Sequence, residues 1–211
     1  MNKGRFIVFE GIDGSGKGTQ IDLLVSEMKK RGRQVYQTAE PTSSATGGLI
    51  RDALGGLQKR DAYELSALFL TDRIFHNVNE VNGIKQFLEK GTDVVCDRYY
   101  YSSFAYQGID ADLKWVMELN LGCQEILRPD LCIFLDADAD ACDERIENNR
   151  FEREIYENLS AQKKIRKRFL EVFEMLKDRE NIQIINGTGK IDQVAKEVLA
   201  VYDSVFGGKD R

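Results

Sequence analysis

The chain of 211 residues carries one histidine, four cysteines and no apolar run approaching the ~18 residues that span a bilayer. Each shortage excludes something. Cys96, Cys123, Cys132 and Cys142 form no Cys-x-x-Cys pair, and a lone His adds too little for a usual zinc set. Cys96 and Cys132 sit in apolar runs, where a free Cys behaves as a small hydrophobe, so a reducing cytoplasm is the expected location. A secretory signal core is missing, since Arg5 precedes only a short apolar run and Glu10 follows it. Positive charge is in deficit: 30 Lys and Arg against 35 Asp and Glu, a net charge of −5, disfavour a broad nucleic-acid surface. Repeats and low-complexity linkers are absent, and only "GGKDR" (207–211) reads as a disordered tail. One domain over 1–206, with no nucleic-acid or membrane partner, is the expectation.

What is present alternates. Short β-branched runs at 5–9, 34–38, 93–96, 131–135 and 182–185 are separated by helical patterns at 17–31, 47–55, 61–89, 112–126, 138–148, 154–178 and 190–205. The runs are too continuous for half-exposed antiparallel strands, so they predict a five-stranded parallel sheet with helices on both faces. In 162–177, Ile165, Phe169, Val172, Phe173 and Leu176 share one helix face, and the cluster "KKIRKR" (163–168) reads as the solvated side.

"FEGIDGSGKGTQ" (9–20) follows the first strand and opens the first helix. Gly11, Gly16 and Lys17 fit the phosphate-loop pattern, in which glycines let backbone N–H groups converge on phosphate oxygens and the lysine reaches the terminal phosphates. Gly11, Ile12, Asp13, Gly14, Ser15, Gly16, Lys17, Gly18 and Thr19 are therefore the candidate ATP-binding loop, and the fold class expected is an α/β three-layer sandwich of the P-loop NTPase type with a small lid at about 144–164. Position 18 is Gly where a Ser or Thr usually holds magnesium. Thr19 and Asp97, directly or through water, are the candidate Mg2+ ligands. The "GKGT" variant resembles the loop of adenylate kinases, and no Asn-Lys-x-Asp guanine signature occurs.

A phosphate monoester acceptor is already ionised and needs cations; a sugar hydroxyl needs a base. Arg51, Arg73 and Arg98 lie between the second strand and the stretch after the third, where open α/β sheets place their sites. Phe69 and Arg73 are four apart on one predicted helix face, a pairing that suits a nucleobase, although by spacing alone Phe69 as core beside a surface ion-paired Arg73 is the commoner arrangement. His76, one turn on, reads as incidental.

Taken together, "FEGIDGSGK", "AEPT" followed by "GGLIR", "LFLTDR" and "CDRYYYSSFAYQG" resemble, in order and spacing, the motifs of thymidylate kinases from Phe6 to about Phe173. The resemblance implies transfer of the γ-phosphate of ATP to dTMP, with Mg2+, for dTTP synthesis, and a homodimer. It implies that Asp13 faces the 3′-hydroxyl, Glu40 lines the acceptor or metal site, and Arg51 and Arg98 clamp the acceptor phosphate. Phe69 would stack on thymine and Arg73 bond its 4-oxo group. Ser103 and Gln107, with Ser102 adjacent, would contact the base, and Tyr106 would pack beneath the deoxyribose. Lys17 and Arg98 are catalytic candidates. Gly14 stands where some members have an arginine, so the lid is expected to supply that charge from Arg150 or Arg153, with Arg145 covering the adenine. "EPT" is followed by Ser43 rather than a glycine-rich stretch, and the lid matches loosely. Two other readings stay open: a deoxynucleoside kinase with Glu40 as base, and a non-catalytic nucleotide-binding regulator.

Overall fold

Strand β1 (Phe6–Glu10) is buried on both sides, and so are its two neighbours in the sheet. Phe6 and Val8 point to one layer, Ile7 and Phe9 to the other. That double burial is why the strand runs lack alternation. In this computed structural model, which describes residues 3–149, 155, 156 and 158–207, five parallel strands lie in the order β2-β3-β1-β4-β5. The others are β2 (Val35–Ala39), β3 (Asp93–Asp97), β4 (Leu131–Asp136) and β5 (Ile182–Asn186). Ile7 stands beside Val95 on one flank and Leu131 on the other.

Helix α1 (Lys17–Lys30) buries Ile21, Leu24, Val25 and Met28, one stripe at 3–4 residue spacing, together with Val194, Val198, Tyr202 and Phe206 of α9 (Ile191–Phe206). On the other layer lie α4 (Ile84–Glu89), α5 (Tyr100–Tyr106), α6 (Leu113–Leu121) and α8 (Leu159–Leu176). The apolar face expected for α8 is buried, while Lys163, Arg166, Lys167 and Arg168 pair with Asp140, Asp136 and Glu171 outside it. Helices α2 (Ala45–Leu54) and α3 (Ala62–Val78) carry a third small core of Ile50, Ala53, Leu54, Leu65 and Phe69. Helix α7 (Ala139–Asn149) follows β4.

The helices differ from the sequence expectation in several places, and the pattern at 154–178 becomes helix only at Leu159, where Asn158 caps it by accepting from the backbone N–H of Ala161. The pattern at 61–89 is two helices, because Asn79 accepts from the backbone N–H of Val81 and Asn82 and turns the chain before Gly83. The 112–126 pattern ends at Leu121. Helix α5 is added: seven wholly buried residues are too few to display a period. Of the expected tail, Gly207 caps α9, and 208–211 lie outside the described residues.

Candidate active site

The carboxyl ends of β1, β2 and β3 converge on the loop between β1 and α1. Lys17 opens α1 and is buried, its Nζ donating to the carbonyls of Gly11 at 2.9 Å and Ile12 at 3.1 Å. Burial lowers its affinity for a proton, and the neighbouring Arg98 adds to the effect. A bound polyphosphate offers this ammonium better partners than two carbonyls. Behind the loop lies a cavity of about 540 Å³ lined by Gly14, Ser15, Gly16, Thr19, Arg145 and the 187–191 segment after β5. Arg145 Nη1 donates to the Gly14 carbonyl at 3.1 Å, tying α7 to the loop. Gly14 sits at φ 77°, and a Cβ there would lie 2.5 Å from the Cys142 carbonyl oxygen. An arginine at this position is incompatible with the packing of α7. Cys142 itself is buried against the loop, and that burial raises its thiol to about 11.

A second cavity, of about 300 Å³, opens on the opposite side of the loop. Asp13, Glu40, Arg51, Phe69, Arg73, Arg98, Ser102, Tyr106 and Gln107 all line it, and so does Tyr156. Ser103 lies behind that wall, buried, accepting from Arg73 Nη2 at 3.2 Å. Helix α3 presents Phe69, Asp72, Arg73 and His76 on one buried face. The guanidinium of Arg73, 1% exposed, is fixed on three sides: Glu40 takes Nε at 2.8 Å and Nη2 at 2.7 Å, and Asn120 takes Nη1 at 2.5 Å. His76 is the other partner of Glu40, at 3.0 Å, and also meets Thr38 at 2.8 Å, so it holds the acid rather than facing the cavity.

Arg98 follows β3 with φ 66°, a left-handed conformation unusual for a non-glycine residue. It persists because the side chain is held everywhere: Asp13 at 2.6 Å, Ser102 Oγ at 3.0 Å, the Gly11 carbonyl at 3.3 Å and the Tyr106 ring 5.1 Å away. Burial opposes the charged form of Asp13, but Arg98, Lys17 and the Tyr106 hydroxyl at 2.9 Å outweigh it and hold the carboxyl at about 2. Arg51 lies at the rim, donating to the carbonyls of Thr42 at 2.6 Å and Pro41 at 3.3 Å.

Among the described residues, the buried polar atoms here without a partner are Asp97 Oδ1 at the end of β3, Ser15 Oγ in the loop and Gln20 Oε1 in α1. An orphaned carboxylate oxygen beside a phosphate loop fits a hydrated Mg2+. Among the described residues no cluster of three or more His, Cys, Asp or Glu forms a metal cage. That suits an ion held chiefly by nucleotide phosphates and water, with Asp97 and the exposed Thr19 as protein contributors. Gly18 makes no close contact that a side chain would disturb, so packing does not explain the glycine.

Arg150 and Arg153 lie outside the described residues. Several structural contributors escaped the sequence reading. Asp72 accepts from Thr42 N at 2.7 Å, Thr42 Oγ1 at 2.6 Å and Ser44 Oγ at 2.7 Å, and so tethers the segment after Glu40. Asn120 reaches in from α6. The "NGTGK" stretch after β5 lines the loop-side cavity; its glycines at a strand's carboxyl end were a signal that went unused.

Residues 9–198 match the family model for thymidylate kinase. The chain belongs to the thymidylate kinase family. It is 36% identical over 209 residues to a probable thymidylate kinase of Thermococcus gammatolerans, covering 95% of this chain and 96% of the relative. A probable thymidylate kinase of Pyrococcus abyssi is 38% identical over 207 residues, covering 94% and 96%. The solved thymidylate kinase of Candida albicans, described as having broad substrate specificity, superposes with a TM-score of 0.81 at 25% identity, over 96% of this chain and 92% of that one. The five-stranded parallel sheet with its flanking helices is thus a thymidylate kinase fold.

Proposed function

We propose that this protein transfers the γ-phosphate of ATP to dTMP, giving dTDP and ADP, with the loop-side cavity taking ATP and the aromatic cavity taking dTMP. The observation that carries this reading is the second cavity: two arginines, a stacking-sized aromatic and a buried ion-paired arginine line one space beside a phosphate loop. The family match favours it and gives no support to a deoxynucleoside kinase or a non-catalytic regulator. Glu40 is unsuited to be a base for a sugar hydroxyl, since Arg73 and His76 already occupy it.

Phosphoryl transfer needs alignment and positive charge more than covalent help. Arg98 and Arg51 hold the acceptor phosphate in line, Lys17 holds the donor phosphates, and Asp13 turns from Arg98 to the 3′-hydroxyl as the acceptor phosphate takes its place. Phe69 stacks on the base and Arg73 donates its one remaining N–H, on Nη1, to the 4-oxo oxygen. Ser103 steadies Arg73; Ser102, Gln107 and Tyr106 shape the base and sugar ends of the cavity. Mg2+, held through Asp97 and Thr19 directly or by water, would neutralise donor phosphate charge. Arg145 covers the adenine, and Arg150 or Arg153 completes the charge around the transferring group. A homodimer in the cytoplasm remains the expected setting; no described helix is long and apolar enough to cross a membrane.

The test is ADP release with ATP, Mg2+ and a panel of nucleoside monophosphates plus thymidine. dTMP is expected to lead, with dUMP weaker by roughly 10–200-fold for its missing methyl. A larger kcat/KM for AMP, CMP or thymidine would sink the assignment.

A further inference from the structure

Glu10 is the last residue of β1, fully buried, and has no part in the chemistry above. Burial pushes its carboxyl up to about 7, against the pull of Arg98 and its hydrogen bonds. Its two oxygens are nonetheless spent on one short stretch of chain. Oε1 accepts from the backbone N–H of Tyr99 at 2.9 Å and Ser102 at 3.1 Å, and Oε2 accepts from Ser102 Oγ at 2.7 Å. Helix α5 has no cap from its own N-terminal residue, so a strand from elsewhere in the fold supplies one. Ser102 Oγ in turn accepts from Arg98 Nη1 at 3.0 Å. The donors all run one way: Arg98 N–H to Ser102 O–H to the Glu10 carboxylate.

We propose that Glu10 is a positioning residue for the acceptor site, holding Arg98 in its left-handed turn and fixing its guanidinium through Ser102. The inference rests on the reading of Arg98 as the acceptor-phosphate clamp. The chain ends on the ionised form of Glu10, so the kinetics are read above pH 7, where the carboxylate prevails despite its burial. Glutamine keeps an acceptor for the two backbone N–H groups but puts an NH2, a donor, where Oε2 took the Ser102 hydroxyl. The hydroxyl then loses its acceptor, and the bond to Arg98 loses its geometry.

The experiment is steady-state kinetics on the full chain for Glu10→Gln, Ser102→Ala, the double variant and Arg98→Ala. Glu10→Gln is expected to raise KM for dTMP about tenfold, the scale of one charge-assisted hydrogen bond, with KM for ATP unchanged. Because both substitutions cut one chain, the double variant should be little worse than the poorer single variant. A Glu10→Gln enzyme with wild-type KM for dTMP, or effects that simply multiply, overturns the relay. Should Glu10→Gln fail to fold, Glu10→Asp keeps the charge but falls a methylene short of Ser102; unchanged dTMP kinetics there overturn it equally. If Arg98→Ala weakens dTMP while Glu10→Gln does not, only this inference is lost. If Arg98→Ala itself spares KM and kcat for dTMP, the clamp reading fails with it.

Discussion

The donor side and the acceptor side of this site are built from different materials. The donor side is backbone: a turn rich in glycine, the start of α1, and a second glycine-containing segment after β5. The acceptor side is side chains, gathered from β2, α2, α3, α5 and the loop after β3. Its charges are also paired before any substrate arrives, Asp13 with Arg98 and Glu40 with Arg73. Backbone donors need only the right turn; side chains that must hold a charge in a dry cavity need partners to stay there. If Arg98 is the acceptor clamp as proposed, the difference teaches that an acceptor phosphate would enter by replacing an existing partner of Arg98, not by filling an empty charge.

The strongest way to break that contrast is to remove one cation from each side. Lys17→Ala is expected to lower kcat about 10²–10³-fold and to weaken ATP, as loss of one donor to developing phosphate charge does elsewhere. Arg98→Ala should lower kcat/KM for dTMP by about 10²–10³-fold while ATP affinity, measured by binding without acceptor, stays near wild type. If both substitutions damage both substrates alike, the two sides are not separable.

A smaller effect tests the backbone side alone. Gly14→Ala adds a methyl at a left-handed φ and places it against the Cys142 carbonyl, where only α7 can give way. The conformational cost is about 1–2 kcal/mol before the clash is counted. The unfolding temperature should fall by at least about 2–8 °C, and ATP should bind about tenfold weaker as Arg145 moves off the loop, on the scale of one charged hydrogen bond. dTMP binding by calorimetry should be nearly unchanged. An ATP affinity equal to wild type would mean that α7 is not part of the donor site.

The same contrast explains what the sequence could and could not reveal. The donor loop is contiguous, so Gly11, Gly16 and Lys17 announced it, and the five strands followed from their unbroken apolar runs. The acceptor side is discontinuous. Phe69 and Arg73 were visible as a pair, yet spacing alone could not separate a base site from core beside surface; the partners that bury Arg73, Glu40 and Asn120, lie 33 and 47 residues away. Asp72 was invisible for the same reason, since its three donors belong to a loop 28 to 30 residues earlier. Helix α5 escaped because its cap comes from β1, and no local pattern records a bond between residues 10 and 99.

The smallest effect concerns Asp13, the one acidic side chain of the donor loop, which is turned to the acceptor side. Its carboxyl is held at about 2 against an ordinary 3.8, mainly because Arg98 and Lys17 overcome the penalty of burial. The sign follows from which state binds the proton more weakly. The folded carboxyl does, so the ion pair contributes stability that is fully present above the unfolded value and is lost as pH falls from about 5 towards 2. The difference corresponds to about 2 kcal/mol, and the side chain is only 19% exposed, so solvent screens little of it. Asp13→Asn keeps the shape and removes the titration. Urea unfolding from pH 7 to pH 2.5 should therefore show the wild type more stable at neutral pH and the gap to Asp13→Asn closing below pH 4. Saturating dTMP at pH 7 should narrow the same gap, because its phosphate replaces Asp13 on Arg98. Two curves that stay parallel through acid would mean that Asp13 and Arg98 are not paired in the free enzyme, and Arg98 would then be held without a carboxylate, as Lys17 is held by the carbonyls of Gly11 and Ile12.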